Sequence, residues 1–498
     1  MRFSGNRSFG LYYSETPYKL TYKNFKLIDT MKTTRIMIMV AAAVAAIACN
    51  KENVESTNPE PAPSDGIVTF TAGFDALGEP ATRTDLAQNE AGEYTKMVWS
   101  AGDVIGVVDK NGKIQPFTTE AGGATAIFKG AAEAPESTWY AFYPYNENAR
   151  VSSTTLNTII PEIQYAKKDG VSDNVTLLRA KCDVSSNSFN FGHLCGLVRV
   201  NVPDGCVAVT LEFPDAAQAN GLTGGIAVAL NYDFSTYHTN MWYKSVTLVS
   251  PDGGAMEAGN YYLAVCPMNY SGKVLLTMRR NDGKISIKEA TGLQVGAGEV
   301  RPINVTPVWE DDLGTVIYNG EANDKFYYFG SESNGTPTVS LEEVTDEKVV
   351  GGKSIRWELT EEKEWTGYLK FQGSSNLSMA DYYNDYALEY YVKANKTAIG
   401  ADTGWEIYWH SFIGKPQKEN VAPIYRASGH SVYKGINGLD DTDWHRVSIP
   451  LKDYFGSDGY LSRIEIHIKP DSDDRAKAAK GSVFYVNDVR IIKKTATR

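Results

Sequence analysis

Short runs of alternating apolar and polar residues recur along this chain, each closed by a turn signal. Gly66-Ile-Val-Thr-Phe-Thr-Ala-Gly73, Leu197-Val-Arg-Val-Asn-Val202, Lys273-Val-Leu-Leu-Thr-Met278 and Leu461-Ser-Arg-Ile-Glu-Ile-His-Ile468 are examples. A period of two sends alternate side chains to opposite faces of a pleated strand. Asp-Gly, Asn-Gly and Pro-Asp pairs between the runs supply the turns. No long stretch repeats with the 3.6 period of an amphipathic helix. The pattern predicts an all-β chain of antiparallel sheets packed as sandwiches.

One apolar stretch is of another kind. Met31-Lys-Thr-Thr-Arg35 precedes the run Ile36–Val44, and Ala45-Ala46-Ile47-Ala48 leads to Cys49. Lys32 and Arg35 form a positive n-region, the apolar run an h-region, and Ala46 and Ala48 fit the small subsites of a signal peptidase. The run is too short to span a bilayer core of about 30 Å. Cysteine directly after Ala48 predicts a lipoprotein, with several acyl chains on Cys49 providing stable anchorage. Residues 31–48 are thus read as a signal peptide, and residues 1–30 as a segment ahead of a true start at Met31.

Asn50-Lys-Glu-Asn-Val-Glu55 resembles the surface-export signal of lipoproteins in some anaerobic Gram-negative bacteria, which implies an outer-membrane protein facing outward. Prolines 59, 61 and 63 then stiffen a tether that completes residues 49–66.

Charge narrows the partners. The chain carries a formal net charge of −11. Residues 1–48 hold seven basic and two acidic residues, so beyond them 42 basic face 58 acidic and the balance is near −16. That excess excludes nucleic acid as a natural partner, and anionic lipid beyond the anchor itself.

Composition shifts at Val308-Trp-Glu-Asp-Asp-Leu-Gly314. Cys182, Cys195, Cys206 and Cys266 lie before it, and five of nine tryptophans lie after it, at 357, 365, 405, 409 and 444. Four cysteines allow three pairings, and their spacing marks neither a disulfide framework nor a zinc site. Cys195 and Cys266, inside apolar strand patterns, read as buried thiols.

The first half carries an ordered series of landmarks. They are Val68–Phe74, Ala81-Thr-Arg-Thr-Asp85, Val98-Trp-Ser-Ala-Gly-Asp-Val-Ile-Gly-Val107 and Ala126-Ile-Phe-Lys-Gly130. Trp139-Tyr-Ala-Phe-Tyr-Pro-Tyr145, Ile160-Pro-Glu-Ile-Gln164, Phe189-Asn-Phe-Gly-His193, Gly259-Asn-Tyr-Tyr-Leu-Ala-Val-Cys-Pro267 and Leu293–Val305 follow. In Trp-Ser-Ala-Gly-Asp, glycine relaxes a tight turn between two strands and Asp103 is placed to cap it. In order and content the series resembles the fimbrillin-like family of fimbrial subunits and anchoring proteins. The resemblance implies two transthyretin-like sandwiches, 67–203 and 204–309, with a break at Pro203-Asp-Gly-Cys206. It also implies that Arg83 stands where polymerising members are cleaved, the lost first strand opening a groove for a strand of another subunit. Continuation past 308 argues for a terminal or accessory subunit.

Residues 314–494 read as a jelly-roll sandwich. Gly352–Leu359, Trp365–Phe371, Tyr386–Lys393, Trp405–His410, Asp443–Leu451, the isoleucines 464, 466 and 468, and Val483–Ile491 supply the strands. Their order is similar to galactose-binding-like carbohydrate-binding modules, including the tryptophan before Ile449-Pro-Leu451 and the final Tyr485-Val-Asn-Asp-Val489. Aromatic rings stack on sugar C–H faces, and nearby polar groups read the hydroxyls. Strict alternation puts Trp405, Ile407 and Trp409 on one face, leaving Glu406, Tyr408 and His410 for a groove. Tyr425 and Arg426, with Tyr433, lie in what reads as a long loop, and Trp365 and Tyr368 are further ligand candidates. Trp357 and Trp444 read as core. The resemblance implies a structural calcium, for which Asp324 and Asp488 are conceivable ligands.

Glycosidase chemistry needs two carboxylates flanking the scissile bond. Two residues beyond Glu465 stands His467, with Lys469 and Pro470 next, and no hydrolase or Walker motif is present. The chain reads as a non-enzyme. The leading expectation is a surface lipoprotein whose C-terminal jelly roll binds a polysaccharide or a host or microbial glycan. The alternative is a fimbrial anchor, tip or accessory subunit whose partners are other subunits.

Overall fold

The computed structural model describes residues 66–74, 85–88, 94–173, 175–214, 221–231, 243–321, 324–330, 332–333, 336–360, 368–395, 404–415, 424–434, 442–470 and 480–495. Side chains of 85–88, 94–97, 332–333, 336–337, 404–411, 415, 424–434 and 468–470 are outside that description. Cys49, Arg83 and Trp365 lie outside the described residues altogether. Among the described residues nearly all the regular structure is β, and Leu451–Asp453 forms a turn of 3-10 helix. No described helix is long and apolar enough to cross a membrane.

The first strand, Ile67–Phe74, pairs antiparallel with Ala126–Ala131 and parallel with Ser188–His193. Through Leu178–Asp183, Thr138–Tyr143, Val104–Val108 and Ile114–Thr119 the sheet closes into a barrel. Alternation turns Phe70 and Ala72 inward, both fully buried. Phe70 lies 5.4, 5.2 and 4.6 Å from the rings of Phe117, Trp139 and Phe189. Trp99 stacks on Phe74 at 4.5 Å and meets Phe128, Tyr143 and Phe191 edge-on. Its indole N–H donates to the Ala72 carbonyl at 2.9 Å, so this large core side chain is also satisfied as a donor. The following turn forms as its residues dictate. Gly102 adopts φ +90°, Ser100 N donates to Asp103 Oδ2 at 2.7 Å and Tyr143 Oη to Asp103 Oδ1 at 3.1 Å.

Two sheets form the next sandwich. Ile163–Tyr165, Ser245–Val249, Cys206–Glu212, Met268–Arg280, Lys284–Val295 and Glu310–Asp311 make one, and Gly259–Val265, Gly196–Val202 and Val300–Ile303 the other. Val198, Val200, Leu211, Leu248, Leu263 and Leu276 fill the space between them. Strand pairing changes between His193 and Gly196, ahead of the sequence break at Pro203–Cys206. Gly196–Val202 joins this sandwich because its three inward valines have partners there. Cys195, Cys206 and Cys266 are buried thiols, and Cys182 is a half-buried one. Burial pushes the Cys195 thiol up to about 12.

The C-terminal sandwich has a sheet ordered Val339–Val344, Ser354–Leu359, Val483–Lys493, Tyr386–Ala394 and His445–Pro450, with Thr315–Tyr318 also on Val483–Lys493. Its second sheet runs Phe326–Gly330, Tyr368–Ser378, Tyr460–Pro470, Gly404–Lys415 and Ile424–Lys434. Trp357, Leu388, Tyr390, Phe412, Ile464 and Val486 are among the core residues between them. Trp357 is fully buried and Trp444 is 4 % exposed.

Candidate functional site

A sandwich has two outward faces, and here their fates differ. The outer face of the six-stranded sheet is packed against the preceding sandwich. Ile163, Ala208 and Val249 cluster with Val349, Val350, Tyr391 and Trp444, and Leu275, Ile285 and Ile287 with Ile492. Ion pairs reinforce the apolar contacts. Arg446 Nη2 lies 3.0 Å from Glu212 and 2.5 Å from Glu389, and Lys494 Nζ reaches the same two carboxylates at 2.7 and 3.4 Å. Burial alone would raise both carboxyls. Arg446 and Lys494 outweigh it and hold Glu212 and Glu389 at about 2. Buried Glu162 accepts from Ser245 Oγ at 2.5 Å and from the Arg446 backbone N–H at 3.1 Å.

This contact claims a residue assigned above to calcium. Asp488, 1 % exposed, accepts from Arg279 at 2.6 Å across the junction and from Arg490 on its own strand. Burial favours the neutral acid, but the two guanidiniums prevail and keep the carboxyl below its usual range. Both oxygens are taken by cations, so Asp488 is an ion-pair partner and does not fit a calcium ligand. Asp324 is exposed on the surface, and among the described residues no three His, Cys, Asp or Glu converge to hold a metal. The neighbouring Asn487 receives the Val349 and Val350 N–H groups at 3.2 and 2.8 Å and donates to the Lys353 carbonyl at 2.9 Å. The Asn-Asp pair therefore docks a loop and a neighbouring domain.

The outer face of the five-stranded sheet carries a different set. Leu369 and Phe371 point into the core, as do Ile464 and Ile466 opposite them. The alternate residues therefore project outward in rows: Tyr368 opposite His467, Lys370 opposite Glu465, Gln372 opposite Arg463. Phe329 extends the Lys370 row and Tyr327 the Gln372 row. The Tyr368 and His467 rings stack at 4.2 Å, and those of Tyr327 and Phe329 at 5.9 Å. Lys370 Nζ sits 4.9 Å from the ring centres of both Phe329 and Tyr368. Glu465 is engaged by Arg463 at 3.0 Å and lies 3.6 Å from His467 Nε2. Tyr327 is 57 % exposed, and Tyr368, Lys370 and Phe329 are half-buried.

Backbone register corrects the strict alternation expected at 405–410. Both pairings of Gly404–Lys415 shift between Ile407 and Trp409, leaving Tyr408 as the extra residue of a bulge. One inserted residue exchanges the two faces beyond it. Trp409 therefore aligns with His467 and Ser411 with Glu465, while His410 aligns with Ile466 of the core row. Residues 424–434 form a strand, where the sequence had suggested a loop. In it Arg426 aligns with Ser411, and so with the Lys370–Glu465 row, while Tyr425 aligns with buried Phe412. Of the sequence candidates, Tyr368 and the register position of Arg426 meet on the outer face, joined there by the register position of Trp409, which the strict alternation had set on the opposite side. The positions of His410 and Tyr425 fall on the core rows.

The rings of Tyr327 and Phe329 were not singled out from sequence, because Phe326-Tyr-Tyr-Phe329 is aromatic throughout and shows no alternation. The signal available was its pairing partner, in which Lys370 and Gln372 alternate with Leu369 and Phe371.

The arrangement offers flat rings flanked by an ammonium, a guanidinium and a carboxylate. It is suited to stacking on a pyranose ring and reading its polar groups. An open cleft of about 560 Å³ also lies on the N-terminal barrel, between Gly112–Gln115 and Tyr145–Val151.

No family model matches the chain, and no curated protein matches it either. Solved structures do. A candidate cell adhesion protein from Bacteroides ovatus aligns at 16 % identity and a TM-score of 0.32, over 49 % of this chain and 97 % of its own. A carbohydrate-binding module of the β-sandwich superfamily aligns at 12 % identity and a TM-score of 0.24, over 68 % of this chain and 98 % of its own. A candidate sugar-binding protein from Bacteroides thetaiotaomicron aligns at 14 % identity and a TM-score of 0.20, over 36 % of this chain and 95 % of its own.

Proposed function

We propose that this chain is a surface lipoprotein that binds saccharides on the outer face of its C-terminal five-stranded sheet. The anchor at Cys49 and the export signal behind it motivate the location, and the sandwiches between act as a stalk. The observation that carries the binding reading is the set of rings Tyr327, Phe329 and Tyr368 on one sheet face, Tyr368 being stacked on the buried His467. The opposite face of the same sandwich is packed against its neighbour. The proposed activity is binding, with Glu465 held by Arg463 at 3.0 Å and His467 beside it at 3.6 Å. Purified full-length protein is expected to bind members of a broad glycan panel with calcium present. Tyr368→Ala is expected to weaken that binding roughly tenfold, the size of one ring contact. A folded protein that binds nothing on the panel would overturn the reading.

A second reading, fimbrial assembly, draws on the first strand. Ile67–Phe74 is paired along both edges and carries two core residues. Its release after cleavage at Arg83 would leave Ala126–Ala131 and Ser188–His193 with unpaired edges for an incoming strand. This reading predicts a mature N-terminus at Thr84 and protease-dependent oligomers. Protein from cells that keeps residues 67–83 and stays monomeric would count against it.

A further inference from the structure

We propose that the saccharide taken by this face is acidic, its carboxylate or sulfate group resting on Lys370 Nζ. The inference rests on the glycan-binding reading and narrows its ligand class.

Lys370 is a cation held in place by rings. Its ammonium lies 4.9 Å from the centres of Phe329 and of Tyr368, which fixes a side chain that would otherwise sweep through many rotamers. The acid best placed to neutralise it is Glu465, directly opposite on the neighbouring strand. Glu465 is turned to other partners, with Arg463 Nε at 3.0 Å and His467 Nε2 at 3.6 Å. Among the described residues, no carboxylate lies within ion-pair distance of Lys370. A chain with 60 acidic and 49 basic residues has acids to spare, and several described surface lysines take one, as Lys110, Lys168, Lys273 and Lys284 do.

The location supplies the ligand class. A neutral sugar stacked on Tyr368 or Phe329 would leave the ammonium beside it without a charged partner. A sugar acid or sulfate ester in the same place completes charge-assisted hydrogen bonds to an ammonium already positioned. The rings read the sugar face and Lys370 reads its charge.

The test uses purified full-length protein and matched oligosaccharides. Uronate-containing oligomers are compared with their methyl esters, and sulfated galactans with unsulfated ones, at low and high salt. At least one acidic member is expected to bind ten- to a hundredfold more tightly than its uncharged counterpart, the effect of one charge-assisted hydrogen bond. The advantage should shrink at high salt. Lys370→Gln should erase it, bringing the acidic member down to the affinity of its uncharged counterpart in the same variant. Uronate and sulfate arms identify which anion is used. Equal affinity for charged and uncharged members, or an acidic preference that survives Lys370→Gln, would overturn this inference while leaving glycan binding standing. No binding of any member, charged or neutral, would overturn both.

Discussion

Arg446→Ala is expected to cost about 3–5 kcal/mol of unfolding free energy, the usual penalty for removing one partner of a buried ion pair. Arg446 is 3 % exposed at its side chain and serves two carboxylates at once. Glu212 comes from the preceding sandwich and Glu389 from the C-terminal sheet, so the guanidinium joins two domains. Without it, Lys494 alone faces two buried acids. Arg446→Lys should recover part of the loss, since an ammonium keeps the charge but lacks the planar fork.

The effect carries a pH signature. Glu212 and Glu389 sit at about 2 in the folded chain against an ordinary 4.5. A lowered carboxyl contributes stability that is complete above the unfolded value and is lost as pH falls through the folded one. The wild type should therefore lose this contribution between about pH 4.5 and pH 2. In Arg446→Ala, burial raises the two carboxyls, so the variant regains ground as they protonate. The gap between the two proteins should be widest at neutral pH and close below pH 4.5 in denaturant titrations. A gap independent of pH would show that the carboxylates are not the partners that matter.

Trp99→Ala is the second large effect, also about 3–5 kcal/mol, as for other buried tryptophans cut to alanine. The indole is 1 % exposed and touches Phe74, Phe128, Tyr143 and Phe191. Its removal opens a cavity at the barrel centre and deprives the buried Ala72 carbonyl of a donor on the first strand. The urea midpoint of the variant should fall accordingly. Tyr327→Ala, at an exposed ring, should change stability by no more than about 0.5 kcal/mol. Comparable losses in the two variants would contradict the packing described for the barrel.

Many strands were legible because they carry their own evidence in a two-residue period, as Phe70 and Ala72 do within Ile67–Phe74, whereas Phe326–Gly330 and Ile424–Lys434 lack that signal. The Ser100–Asp103 turn was legible for the same reason: glycine and the capping aspartate are neighbours in sequence. The junction was not. Glu212, Glu389, Arg446 and Lys494 are far apart in the chain, and only the packing of one sheet on another brings them together. Asp488 was read as a metal ligand because its partner, Arg279, lies 209 residues away. The bulge at Tyr408 was invisible, since Trp405–His410 reads as an unbroken alternation and the inserted residue shows only in the pairing with neighbouring strands. That bulge decides which side of the sheet each later residue serves, so the candidate site was only partly visible. Tyr368 could be picked out from its run, whereas its grouping on one face with Phe329, Lys370, Glu465 and His467 is a property of strand order.

The most direct test of the account is oxidative side-chain footprinting of the full-length protein with and without a bound saccharide. Tyr327, Phe329 and Tyr368 are expected to lose reactivity together on saturation, while Tyr145 on the barrel keeps its own. Protection confined to the barrel cleft around Gly112–Gln115 and Tyr145–Val151, with the three rings of the five-stranded sheet unchanged, would contradict it.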